Sequence, residues 1–206
     1  MDTASKLVAF GIVLVCLTVH EWAHAWTADR LGDPTARMLG RVSFNPVVHI
    51  DLLGTIVLPL LAIFSGLPIL GWAKPVPVNI TRLGHPRRDF MIVAAAGPAS
   101  NLAMAILAAL IFRGMGGIEA TGEFGVPQLM IMAVQINVLL AVFNMLPIPP
   151  LDGGNVLSGL LPDHMAGLLY GLRQYGFIVL YALLLTGILE RLIMPPTLSL
   201  MRLLLL

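Results

Sequence analysis

The sequence predicts an all-α polytopic membrane protein with four to six membrane segments. Three observations carry that expectation. Of the 206 residues, 58% are hydrophobic and only 11% are charged, against about 25% charge in a soluble domain; the mean hydropathy is +0.91. Apolar runs long enough to cross about 30 Å of hydrocarbon alternate with loops rich in Gly, Pro and Arg. The first of those runs also carries three ionisable residues in adjacent turns, His20, Glu21 and His24. Each such residue costs about 2.5–3.5 kcal/mol in a membrane helix, so three together need a shared purpose.

The net charge of +1 argues against nucleic acid as a partner. A single cysteine, Cys16, excludes an intrachain disulfide framework. No internal repeat, low-complexity linker or inserted soluble domain interrupts the chain, so residues 1–206 read as one membrane domain.

Residues 5–28 form the first membrane helix. No small-residue cleavage site follows, so it reads as a retained helix and not a signal peptide. Its second half holds His20-Glu21-Trp22-Ala23-His24. This H-E-x-x-H spacing points two imidazoles to one side of a helix, about 6 Å apart along the axis. Both can then reach one tetrahedral Zn²⁺ at about 2.0–2.1 Å, with Glu21 placed to take a proton from a zinc-bound water. The same pattern occurs on solvated helices, but the uncharged run Leu7–Val19 before it favours the metal. Cys16, one turn before His20, reads as helix packing.

Residues 29–49 are a polar loop of turn formers, Gly32-Asp33-Pro34, Gly40-Arg41 and Asn45-Pro46, in which Arg30, Arg37 and Arg41 outnumber Asp29 and Asp33. Residues 52–73 are uncharged but interrupted by Gly54, Pro59, Gly66 and Pro68. The loop 74–89 is basic again, with Lys74, Arg82, Arg87 and Arg88 against Asp89. The positive-inside rule places both loops in the cytoplasm, which a full span at 52–73 would forbid. A re-entrant segment near residues 50–80 resolves the conflict; a kinked full span is the alternative. Trp72-Ala73-Lys74-Pro75-Val76-Pro77-Val78 cannot be helical and reads as an extended, β-like edge strand. His49, near Asp51, reads as an interfacial hydrogen-bonding residue, with a second metal site as the alternative. His85 and His164 read as solvated.

Phe90–Phe112 is a clean span containing Gly97-Pro98-Ala99-Ser100-Asn101, whose small residues permit close helix contact. The loop 114–126 has Glu119 and Glu123 with no Lys or Arg and reads as the outer side. Pro127–Leu146 returns inward and leads into Asn144-Met145-Leu146-Pro147-Ile148-Pro149-Pro150-Leu151-Asp152-Gly153-Gly154. Residues 165–190 give a last helix, broken near Arg173 or Gly176, and the tail Pro195–Leu206 is too short to span.

A catalytic zinc wants three protein ligands and a water. Asp152 is the best candidate for the third. It follows an uncharged run from Phe124 to Leu151, and the surrounding prolines and glycines free its carboxylate to project sideways. The alternative is a cap on a helix beginning near Asn155.

The three motifs together, His20-Glu21-x-x-His24, Gly97-Pro98-x-x-Asn101 and Asn144-x-x-Pro147-x-Pro149-x-Leu151-Asp152-Gly153, resemble the site-2 protease family of intramembrane zinc metalloproteases in order and helix placement. Asp33-Pro34 and Gly71-Trp72-Ala73-Lys74-Pro75-Val76-Pro77 match as well. The resemblance covers roughly residues 8–160, in a compact form without the PDZ module or nucleotide-binding domain of larger relatives. It implies one Zn²⁺ per chain held by His20, His24 and Asp152, Glu21 as catalytic base, and Asn144 and Asn101 in substrate placement. For Asn101 an interhelical hydrogen bond is the other reading. The implied activity is hydrolysis of a peptide bond within or near the transmembrane helix of another protein, with that protein and the lipid bilayer as partners. The implied location is a multi-pass place in a prokaryotic plasma membrane, or an organelle membrane derived from one, with the site opening to the cytoplasm. Alternatives are an H-E-x-x-H peptidase using Glu119, Glu123 or Glu190 as third ligand, a metal-ion transporter, and a non-catalytic membrane binding protein. A transporter should show polar residues on successive helices and repeat symmetry; the sequence has one ionisable cluster and no repeat.

Overall fold

The computed structural model describes residues 3–65, 71–120, 125–162, 165, 171 and 173–206. Its helices are α1 (Thr3–Arg30), α2 (Thr35–Met38), α3 (Leu58–Ser65), α4 (Pro86–Gly114), α5 (Val126–Asn144), α6 (Asp152–Leu160), α7 (Gly176–Leu185) and α8 (Ile188–Leu205). Among the described residues three helices are long and apolar enough to cross a membrane: Ser5–Arg30, Pro86–Gly114 and Val126–Asn144. The α7–α8 pair, bent by 81°, would make a fourth if it serves as one span.

Local chemistry sets the boundaries. α1 ends at Leu31-Gly32, where Gly32 takes φ +107° and Pro34 cannot continue a helix. α4 opens on Pro86, whose fixed φ suits a first helical position. The Asp89 carboxylate turns back to accept the His85 N–H at 2.7 Å. At the start of α5 the Gln128 side chain accepts the Gly125 N–H at 2.9 Å. α5 stops at Asn144, ahead of the proline run that disfavours helix in the residues before it.

α4 is the central element and packs against α1, α5 and α6. Its C-terminal half presents Ala105, Ala108 and Ala109 to Val134 and Val138 of α5, and Leu200, Met201, Leu204 and Leu205 of α8 close over them. Alanines there let the helix backbones approach closely. Large apolar side chains on the opposite faces, such as Ile106, Leu107 and Leu110, are exposed, as lipid-facing residues are.

The stretch 52–73 starts with a wide π-type turn, Leu52–Val57, whose Gly54 N–H is accepted by Asp51 at 2.7 Å. It continues as α3; residues 66–70 lie outside the described residues. Beyond them the Trp72 N–H donates to the Gly54 carbonyl at 3.1 Å, and the Lys74 N–H to the His49 carbonyl at 2.9 Å. The Thr55 hydroxyl donates to the Trp72 carbonyl at 2.8 Å. The two ends of the stretch therefore meet.

No strand forms at 72–78, against the sequence expectation. Pro75 and Pro77 have no N–H to give a ladder. Side chains of the preceding loop hold the segment instead: Arg41 Nη2 donates to the Lys74 carbonyl at 2.5 Å, and Asp33 accepts the Asn79 N–H at 2.6 Å. The Gly84 N–H also reaches the Leu31 carbonyl at 3.3 Å. The loops 29–49 and 74–89 thus pack together at one end of the bundle.

For the C-terminal part the expectation is a helix over 165–190, broken near Arg173 or Gly176. Residues 163–164, 166–170 and 172 lie outside the described residues, His164 among them. A 3-10 turn at Arg173–Tyr175 leads into α7, and the sharp bend falls at Gly187, φ +72°. Glycine carries no Cβ penalty in that left-handed position and so caps α7. The tail after Pro195 continues α8, with Pro195 and Pro196 inside the helix. An interior proline costs about 3 kcal/mol, and packing of the following turns over α4 and α5 offsets it.

Candidate metal centre

His20 and His24 lie one turn apart on the inner face of α1, both buried. Their rings meet edge to face with centroids 4.6 Å apart. Asp152, the first residue of α6, is delivered to them by the break after α5. Gly153 and Gly154 make that approach possible. A Cβ on Gly153 would collide with the Met145 and Leu146 carbonyls, and one on Gly154 would stand 2.7 Å from the Pro149 nitrogen.

The three donor atoms form a small triangle. His20 Nε2 is 3.0 Å from His24 Nε2, and Asp152 Oδ2 is 3.1 Å from the former and 3.3 Å from the latter. Two ligands of a tetrahedral zinc at about 2.0–2.1 Å stand about 3.3 Å apart, so the triangle has the dimensions of one face of such a site. The protonation pattern agrees. His24 Nδ1–H donates to the Val93 carbonyl at 2.7 Å, and His20 Nδ1–H donates to Asn101 Oδ1 at 2.6 Å. A neutral imidazole carries one proton, so both Nε2 atoms present lone pairs. Asp152 Oδ2 is buried and accepts no hydrogen bond. Three lone-pair donors converging without a proton between them fit a cation. Among the described residues this is the one group of three His, Cys, Asp or Glu side chains so arranged.

α4 supplies the wall. A Cβ on Gly97 would sit 2.5 Å from His20 Nε2 and clash with His24 Nε2. The Gly97-Pro98 motif therefore leaves room for the two rings. Glu21 is buried on the same turn of α1. Its carboxylate acts on Arg41: burial pushes the Arg41 guanidinium down, and Glu21 opposes that shift.

The remaining sequence candidates fall in different places. Asn101 is fully buried and bonds His20. Asn144 turns back on its own helix, donating to the Leu140 carbonyl at 2.9 Å. Cys16 is buried and lies outside the donor group. His49 donates through Nε2 to the Ser43 carbonyl at 2.8 Å, while Asp51 caps the π-type turn. His85 is exposed. Glu190 is exposed on α8; Glu123 and the side chain of Glu119 lie outside the described residues.

The family model described as Peptidase family M50 matches residues 115–186, which include Asp152 but not α1. YwhC of Bacillus subtilis, named as a candidate zinc metalloprotease, is 38% identical over 178 residues, covering 84% of this chain and 78% of its own. The chain belongs to peptidase family M50. Membership bears out the site-2 protease resemblance read from the motifs and makes the chain a peptidase by family. Rip2 of Mycolicibacterium smegmatis, with the same kind of name, is 32% identical over 86% of this chain and 66% of its own. Rip2 of Mycobacterium tuberculosis H37Rv is 33% identical over 84% and 64%. The chain thus spans just under two thirds of the Rip2 proteins. No solved structure matches it.

Two residues around this M50 centre have no site role in the sequence reading. Asn137 of α5, 2% exposed, accepts from Asn101 Nδ2 at 2.9 Å. Its one signal is being an uncharged polar residue inside an apolar span. Arg41 is buried, with its Nε unpartnered. In the sequence it looks like any loop cation.

Proposed function

We propose that this M50 peptidase is an intramembrane zinc metalloendopeptidase that hydrolyses a peptide bond within or near the transmembrane helix of another membrane protein. One observation carries the reading: three donor atoms, His20 Nε2, His24 Nε2 and Asp152 Oδ2, lie within 3.3 Å of one another on helices of membrane character. The names of YwhC and Rip2 support zinc as the ion.

Held there, zinc supplies Lewis acidity toward a scissile carbonyl and brings the pKa of a water toward about 7. Glu21, next to His20 on α1, takes a proton from the attacking water and passes it to the leaving amine. The amide bond breaks and carboxylate and amine products form. The substrate helix has its backbone bonds satisfied internally and must unwind before attack. Asn144, half-buried at the end of α5, adds polarity along its path, while Asn101 orients His20. The meeting of Gly54 with Trp72 supports a re-entrant course for residues 52–73. The packing together of the two basic loops supports a cytoplasmic opening, by the positive-inside rule.

The test uses purified full-length protein in liposomes with a single-span substrate. Glu21→Gln should retain one zinc per chain and lose cleavage by about 10²-fold or more. Cleavage at the wild-type rate would remove Glu21 from the mechanism. Zinc content unchanged in Asp152→Ala would overturn the ligand set.

A further inference from the structure

We infer that Asn137 on α5 is a positioning residue for the metal centre: acting through Asn101, it sets which nitrogen of His20 keeps the proton. This rests on the reading of His20, His24 and Asp152 as the zinc ligands.

An amide side chain can face either way, so a relay of two amides has no direction of its own. Here a backbone group sets it. The Ala133 carbonyl can only accept, and Asn137 Nδ2 donates to it at 2.9 Å. That leaves Asn137 Oδ1 to accept from Asn101 Nδ2 at 2.9 Å. Asn101 Oδ1 is then left to accept from His20 Nδ1–H at 2.6 Å. Asn101 is 0% and Asn137 2% exposed, so water cannot take the place of either partner. Around Asn137 the buried residues of α5 are Val134, Val138 and Ala141, and an amide is buried in such company only when it is hydrogen-bonded.

The consequence lies at Nε2. With Nδ1 protonated, Nε2 of His20 offers a lone pair. With the other tautomer, Nε2–H would donate to the Asp152 carboxylate, whose Oδ2 lies at 3.1 Å, and close a hydrogen bond across the place of the cation. The relay from α5 opposes that closure. His24 needs no such device, since its Nδ1–H goes straight to the Val93 carbonyl.

Zinc affinity of the detergent-purified full chain, measured by chelator competition, tests this. The visible absorption of the Co²⁺-loaded protein reports ligand geometry alongside. Asn137→Leu is nearly isosteric and suits an apolar helix; Asn137→Ala is the second removal variant. Both should weaken zinc binding about 10- to 100-fold, as loss of a group that orients a ligand does, and alter the Co²⁺ bands. Asn137→Asp keeps an oxygen to accept from Asn101 Nδ2 and should stay close to wild type. A packing role gives the reverse order, with Leu tolerated and Asp not. Wild-type affinity and spectrum in Asn137→Leu, or Asp as weak as Leu, would overturn the inference. Wild-type protein that binds no zinc, or binds it equally in Asp152→Ala, would overturn the zinc reading and this inference with it.

Discussion

The buried carboxylate of Asp33 accepts the backbone N–H of Asn79 at 2.6 Å, tying the loop after α1 to the segment that precedes α4. The same side chain accepts the Thr35 N–H at 3.1 Å and the Thr35 hydroxyl at 2.5 Å. It is 0% exposed, so removing it strands donors away from water. Asp33→Ala should destabilise the protein by about 1–3 kcal/mol, read as a lower midpoint in thermal unfolding in detergent. Zinc content at low temperature should not change, because Asp33 belongs to the loops and not to the donor triangle.

Gly97→Ala should act on the metal and not on the fold. The added Cβ meets both Nε2 atoms, and α4 cannot withdraw while it packs against α1, α5 and α6. Zinc affinity should fall at least as far as it does on loss of a ligand-orienting group, roughly tenfold or more. Calorimetric or chelator titration checks this, with helix content by circular dichroism unchanged.

Arg41→Ala should release the segment around Lys74 and Pro75 without touching the zinc. Its guanidinium donates to both carbonyls, at 2.5 and 3.4 Å, which no neutral replacement of that size can do. Limited proteolysis should cut faster within 71–79.

Zinc should stabilise the chain by mass action. At a free concentration one hundred times Kd the gain is about 2.7 kcal/mol. Unfolding monitored with zinc and after chelator treatment should show that difference in wild type and lose it in Asp152→Ala.

The donor set was legible in the sequence because two of its members sit four residues apart on one helix and the third stands alone in an uncharged stretch. The three long helices were legible from apolar length. Asn137 was not, since one uncharged polar residue in a span has no spacing that betrays its partner on another helix. The edge strand at 72–78 was expected from pattern, but Pro75 and Pro77 remove the N–H groups a ladder needs. The tail from Pro195 reads in the sequence only as too short to span; that it continues α8 depends on tertiary packing overriding the local cost of two prolines. The bend at Gly187 depends on a positive φ that a glycine permits but does not demand.

The donor triangle joins α1, near the start of the chain, to α6, well into its second half. A chain being made from its N-terminus therefore places two imidazoles in the membrane long before the carboxylate that completes them. Until α6 arrives there is no third donor, and until α4 and α5 are in place nothing holds the His20 ring. A half-made copy of this peptidase therefore holds two of its donors and no closed site.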